Sequence, residues 1–199
     1  MERAEHAPLQ RPRVPRGAGR DALCAALVRI VARDGIERVT FRSVAAEAGV
    51  THGLASYHFG SREEMIHEAL RWAEDRAIEQ SRIGGAAESL ASFAADVPRM
   101  VAEHPEDHIF QFDVALLALR RPALLPGVRE SYDDYVAVVR ESLARLGLGD
   151  DEGLARAVFA AIDGLSLQQL LYQDAALARD GIAALQRMLE LVAERHAPS

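Results

Sequence analysis

His104 and His108 stand four residues apart, the spacing at which two imidazoles on one helical face can share a metal ion. Pro105 suits the first position of a helix, which leaves His104 outside it, and no third ligand lies at a fixed offset, so no metal is expected. Glu106 and Asp107 then serve the positive end of that helix. The one cysteine, Cys24, excludes an intramolecular disulfide and a multi-cysteine zinc site. It reads as a small buried hydrophobe. No nucleophile-elbow, phosphate-binding or dinucleotide-type glycine motif occurs. Asp163-Gly164-Leu165 has no nucleophile or base at a fixed offset. The chain is therefore expected to be no enzyme and to carry no cofactor. What remains is a set of apolar and aromatic residues, Met100, Phe110, Phe112, Tyr132, Tyr135 and Tyr172, beside polar His104, His108, Gln111, Asp113, Gln168 and Gln169. Apolar walls with a few polar groups are what a small-molecule pocket needs, and a mostly apolar organic effector is the favoured occupant. The same spacing also suits plain core.

Charge is divided along the chain. All 23 basic residues are arginine, against 30 acids, for a net charge of −7. Residues 1–60 hold nine Arg and six acids, whereas 61–199 hold fourteen Arg and twenty-four acids. A basic end on an acidic chain suits a protein that presents one face to an anionic polymer. Residues 1–19, with Arg3, Arg11, Arg13, Arg16 and three prolines, read as a flexible basic arm or a solvated tail. A hydrophobic fraction of 49% argues for a folded core. No apolar run is long enough to span a bilayer and no secretory signal is evident, so a cytoplasmic protein without membrane contact is expected.

The elements that position these groups are all helical, about nine of them, with no strand-like alternation. Leu23, Ala26, Leu27, Ile30 and Val31 recur at helical spacing and Gly35 stops the helix. Thr40 caps a short helix to Ala48, and Thr51 starts another, through His58. Ser61 and Glu64 form a capping box for a helix to about Arg82. A helix is expected over 87–103 with Pro98 as a kink, then others over 105–120, 128–146, 152–170 and from Asp180.

Ala48-Gly49-Val50-Thr51 joins two short helices by a tight glycine turn, the helix-turn-helix plan. Ala45 and Ala48 let the helices cross closely, and Val44, Val50 and Leu54 fill the joint. The second helix is then free to enter a DNA major groove. The run Thr40 to Glu64, through Ala48-Gly49-Val50-Thr51 and Tyr57-His58-Phe59-Gly60-Ser61, resembles the DNA-binding signature of the tetracycline-repressor (TetR) family. The Tyr57-His58-Phe59-Gly60 form is similar to the choline-responsive subgroup.

That resemblance implies an all-α regulator: arm 1–19, DNA-binding domain 20–64, and a ligand-sensing and dimerising domain 65–199. It implies double-stranded operator DNA, a second copy of the chain and a small organic effector as partners, with repression as the usual mode. Thr51, His52 and Gly53 would approach bases and phosphates; Ser56 lies on the same helix, where many members have a larger Tyr. Tyr57 and His58 would donate to phosphates, Arg42, early in the preceding helix, would reach backbone or base, and Ser61 and Arg62 would open the fourth helix near the DNA edge. Phe59 reads as core. A quaternary ammonium held by Tyr rings and Asp113 is the second choice of effector. Leu154, Val158, Ile162, Leu165, Leu185, Leu189 and Val192 offer an apolar stripe for a dimer seam. Two heads would then lie one DNA turn, ~34 Å, apart on a pseudo-palindrome.

Overall fold

The computed structural model describes residues 18–81, 83–84 and 87–196. The expected arm falls outside the described residues except for 18–19. Among the described residues there are nine α-helices and no strand: α1 (Ala18–Asp34), α2 (Phe41–Glu47), α3 (His52–His58), α4 (Arg62–Gln80), α5 (Val97–Glu103), α6 (Pro105–Ala118), α7 (Leu125–Leu143), α8 (Glu152–Tyr172) and α9 (Ala175–His196).

α1 is enclosed. Leu23, Cys24, Ala26, Leu27, Val28, Ile30 and Val31 are all buried, and a helix apolar on most sides must be surrounded. Its neighbours are α2, α3, α4 and, from far along the chain, α6. Phe110, Val114, Leu117 and Ala118 of α6 belong to the same core as Leu23 and Phe59. A second core gathers α5, α7, α8 and α9 around Phe93, Met100, Val139, Phe159, Ile162 and Leu189. α4 runs through both: Met65, Ile66 and Ala69 lie in the first and Ala77 in the second. Its 19 residues span roughly 28 Å at ~1.5 Å per residue.

The expected helix over 87–103 is corrected. Ser89 and Ser92 form their own capping box around a single 3₁₀ turn, Leu90–Ser92, and α5 begins only at Val97. Pro98 therefore sits in the first turn of α5, where its missing amide would have had no partner within the helix. It starts a helix and kinks nothing.

Candidate functional site

Each helix end in the head has a local cause. Thr40 accepts from the Ser43 amide at 3.0 Å while the Ser43 hydroxyl accepts from the Thr40 amide at 2.9 Å, and this box opens α2. α2 closes on Gly49 at φ 68°, with Val50 N–H donating to Ala45 O at 2.9 Å and Gly49 N–H to Ala46 O at 3.2 Å. This is the turn that glycine permits without strain. Arg29 donates to Glu47 at 3.0 Å and Arg33 at 3.3 Å, strapping α2 to α1 and holding the Glu47 carboxyl below the usual range. α3 lies on this base through Ala55, and Phe59, 1% exposed, anchors its end.

The outer face of α3 is bare. Thr51, His52, Gly53 and Ser56 are exposed, and the Thr51 hydroxyl makes no cap bond to its own helix. Tyr57 is 83% exposed and meets the His58 ring edge-on at 5.4 Å, so it does not cover the joint. Arg42 is exposed early on α2. The result is a short protruding helix that carries hydroxyl, imidazole and phenol groups, of a width that a major groove admits.

A second site lies inside the other core. Leu70 and Ala77 of α4 face Met100 of α5, His108 and Gln111 of α6, Ser131, Tyr132 and Tyr135 of α7, and Phe159, Ile162, Asp163 and Ser166 of α8. The space between these walls that a water-sized sphere can enter is a thin slot of about 40 Å³. Gln111 Nε2 donates to the Tyr135 hydroxyl at 2.9 Å, and Tyr132 donates to Asp163. Burial pushes the Tyr132 phenol up to about 12 and raises the Asp163 carboxyl. Burial, with His104 nearby, lowers His108 to about 4, so its imidazole is neutral at pH 7.

Of the pocket residues expected from sequence, Met100, His108, Gln111, Tyr132 and Tyr135 come together here. The others do not. Phe110 is fully buried in the first core. Gln169 donates to Pro98 O at 2.7 Å, and Tyr172 is 68% exposed on α8, as Gln168 is exposed beside it. Phe112 and Asp113 are half-buried elsewhere on α6. His104 lies at the α5–α6 corner, its Nδ1 3.9 Å from Glu106. Among the described residues no three His, Cys, Asp or Glu groups are placed to hold a metal ion. Sequence reasoning missed Asp163, Phe159 and Ser166. Asp163 carried a signal: it is the lone charge in the apolar run from Ala157 to Tyr172.

Residues 85–193 match the family model for the tetracyclin repressor-like C-terminal domain, and residues 23–69 match that for bacterial regulatory proteins of the tetR family. The chain belongs to the TetR family. A nicotine-responsive transcriptional repressor of Paenarthrobacter nicotinovorans is 24% identical to it over 159 residues, 75% of this chain and 82% of the repressor. A TetR-family regulator from Rhodococcus sp. shares the fold at TM-score 0.71 and 22% identity, over 86% of this chain and 97% of that one. The likeness to the regulator BetI of Agrobacterium fabrum, 38% over 52 residues, covers 26% of this chain and 25% of BetI. The TetR chain is thus a DNA-binding transcription regulator and not an enzyme. None of its described helices is long and apolar enough to cross a membrane.

Arg62, expected near the DNA edge, also has a structural role: Nε donates to Val39 O at 2.9 Å and a terminal nitrogen to Ile36 O at 2.6 Å, which ties the loop after α1 to α4. Ser61 caps α4 as expected, accepting from Glu64 N–H at 3.0 Å, while Glu64 accepts from Gly60 N–H at 2.9 Å. The dimer stripe needs correction. Val158, Ile162, Leu185 and Leu189 are between 1% and 7% exposed, and Leu154, Leu165 and Val192 pack against the same core. α5 and α7 cover what looked like surplus apolar surface. Leu167, Leu171 and Tyr172 on α8, with Met188 and Leu191 on α9, are the exposed apolar residues instead.

Proposed function

We propose that this TetR regulator is an effector-released repressor that acts in the cytoplasm as a homodimer on a pseudo-palindromic operator. The observation that carries this reading is the course of α4. One uninterrupted helix is gripped at Arg62 by the head and forms, through Leu70 and Ala77, a wall of the buried cavity. Occupation of the cavity would tilt α4 and change the spacing of the two heads. To release DNA the effector must bind the non-DNA conformation more tightly than the DNA-bound one.

In this reading Arg42, Thr51, His52, Gly53, Ser56, Tyr57 and His58 meet the DNA, and the recognition helix is of the choline-responsive type. Leu167, Leu171, Tyr172, Met188 and Leu191 form the seam between copies. Gly164 shares their face of α8 and has open space where a side chain would stand, which suits close approach of a second helix. The test is fluorescence anisotropy on the chain's own upstream DNA, with small organics that raise its melting temperature added to the complex. Release of DNA by some of them is expected. Thermal stabilisation that never alters operator affinity would refute effector release while leaving DNA binding intact.

A further inference from the structure

Glu74 is buried on α4 and faces α7 across a recess that His67, Arg71, Gly127, Glu130, Ser131 and Asp134 also line. Its carboxyl is hydrogen-bonded to Ser131, a residue that also lines the effector cavity. The charged groups of α7 that bear on it, Glu130 and Asp134, are both acids, and so is Asp75 beside it on α4. The Tyr135 phenol on α7, raised by burial, is neutral. The nearby bases of α4 are engaged elsewhere. Arg71 donates to Glu68 at 3.3 Å, His67 Nε2 lies 3.4 Å from Leu124 O, and Arg76 lies 3.6 Å from Asp107. Gly127 supplies a fulcrum: a Cβ there would stand 2.8 Å from the His67 ring, so its absence lets α4 and α7 touch. Glu74 lies two turns further along α4, roughly 10 Å from that contact and on the side away from the head.

An ionised carboxylate in this recess gives up water and faces like charge, so it opposes the packing of α4 on α7. Burial sets the Glu74 carboxyl at about 7, whereas a hydrated Glu titrates near ~4.3. A tilted α4 that opens the recess to water is therefore increasingly favoured as pH climbs from about 4 to about 7, with no further gain above. We propose that the α4–α7 interface is a proton-operated switch, in which ionisation of Glu74 drives α4 away from α7 about the His67–Gly127 contact and loosens the hold on operator DNA without an effector. This rests on the tilt of α4 that the proposed function uses, with the close α4–α7 packing and narrow cavity as the DNA-binding form.

The test is fluorescence anisotropy of the full chain and of Glu74→Gln on the chain's own upstream DNA, from pH 5 to 8 at constant ionic strength. Whatever His52 and His58 on α3 contribute is common to both proteins and cancels. The window exceeds one pH unit, each worth up to a tenfold shift between the two forms. Wild type should thus bind at least about threefold more weakly than E74Q at pH 7.5, and the gap should shrink steadily toward pH 5. Asp134→Asn, which removes an acid that raises Glu74, should move the wild-type midpoint to lower pH. No gap, a gap constant across pH or a gap of opposite sign overturns the proposal. An unmoved midpoint in D134N does so too, and that arm stands even if E74Q folds poorly. Organics that release DNA from both proteins, with no gap between the two, would overturn this inference alone. A gap that grows with pH, with no organic that releases DNA, would refute effector release and support the switch.

Discussion

Glu74→Gln should stabilise the protein, by an amount that depends on pH. Glu74 is 4% exposed on α4, and burial pushes its carboxyl up to about 7, against the Ser131 hydroxyl, which lowers it, and with Asp134, Asp75 and Glu130, which raise it further. In the unfolded chain it titrates near ~4.3. Between roughly pH 4 and 7 the folded state therefore keeps a proton that the unfolded state has lost. Stability from this group is complete below pH 4, falls through that window, and is flat above about pH 7. Each pH unit is worth about 1.4 kcal/mol, a ceiling of roughly 3–4 kcal/mol. A small recess reaches Glu74 between His67 and Asp134, and solvent screening through it brings the expected figure to about 1–2 kcal/mol. His108 works in the opposite direction. With its value lowered to about 4, it adds stability as pH rises toward its ordinary ~6.5, so the wild-type profile should look nearly flat up to there. The amide oxygen introduced by E74Q can still accept from Ser131, so the difference between E74Q and wild type isolates the ionisation. Urea unfolding by circular dichroism at pH 4.5, 6 and 7.5, at one protein concentration, should show almost no difference at the lowest pH and the full gain at the highest. A difference constant across pH would mean that Glu74 holds no extra proton, and a loss growing with pH would reverse its sign.

Tyr57→Ala should weaken binding to every DNA sequence about equally, because phosphate contacts carry no base information, whereas changes at Thr51 or His52 should alter sequence preference; parallel binding-site selections check this. Binding should weaken steeply with salt, and deletion of residues 1–17 should flatten that slope in a salt titration if the arm contacts phosphate. Leu171→Glu with Met188→Glu should yield monomers by light scattering without lowering helix content, since both side chains are exposed in the single chain. Phe110→Ala should cost about 3–5 kcal/mol in chemical unfolding, as full truncation of a buried aromatic does. It should also impair DNA binding, although α6 carries none of the DNA-facing residues.

The head was legible because its boundaries are written in local chemistry. Thr40, Gly49 and Ser61 each satisfy or redirect backbone groups within a few residues, and spacing alone exposes that. Pro98 and Pro105 show where such reading stops. Both are helix-starting prolines, but Pro98 looks like a kink unless Ser89 and Ser92 are recognised as capping a separate turn. Periodicity on α8 and α9 found the buried face correctly and assigned it to the wrong neighbour. A 3.6-residue repeat reports that Val158 and Leu189 are covered, and cannot report whether α5, α7 or another molecule covers them. In the cavity the choice between Asp113 and Asp163 depended on which helix faces inward at that height. That is a property of packing between distant segments, and only the lone charge in the apolar run of α8 hinted at it.

The burial of Phe110, Val114 and Leu117 beside Leu23 and Phe59 sets a rule for exchanging parts between relatives. A graft that follows the matched segment, residues 23–69, would transplant the reading helix without the wall it leans on. The recipient's own α6 would have to fit a foreign surface to within a methyl group or lose stability. Recombination at that seam should therefore mostly yield loosely packed hybrids, whereas replacements confined to Thr51, His52, Gly53, Ser56 and Tyr57 leave the shared interior untouched. New operator preferences in this lineage should accordingly arise by point substitution on the bare face of α3 more readily than by swapping heads.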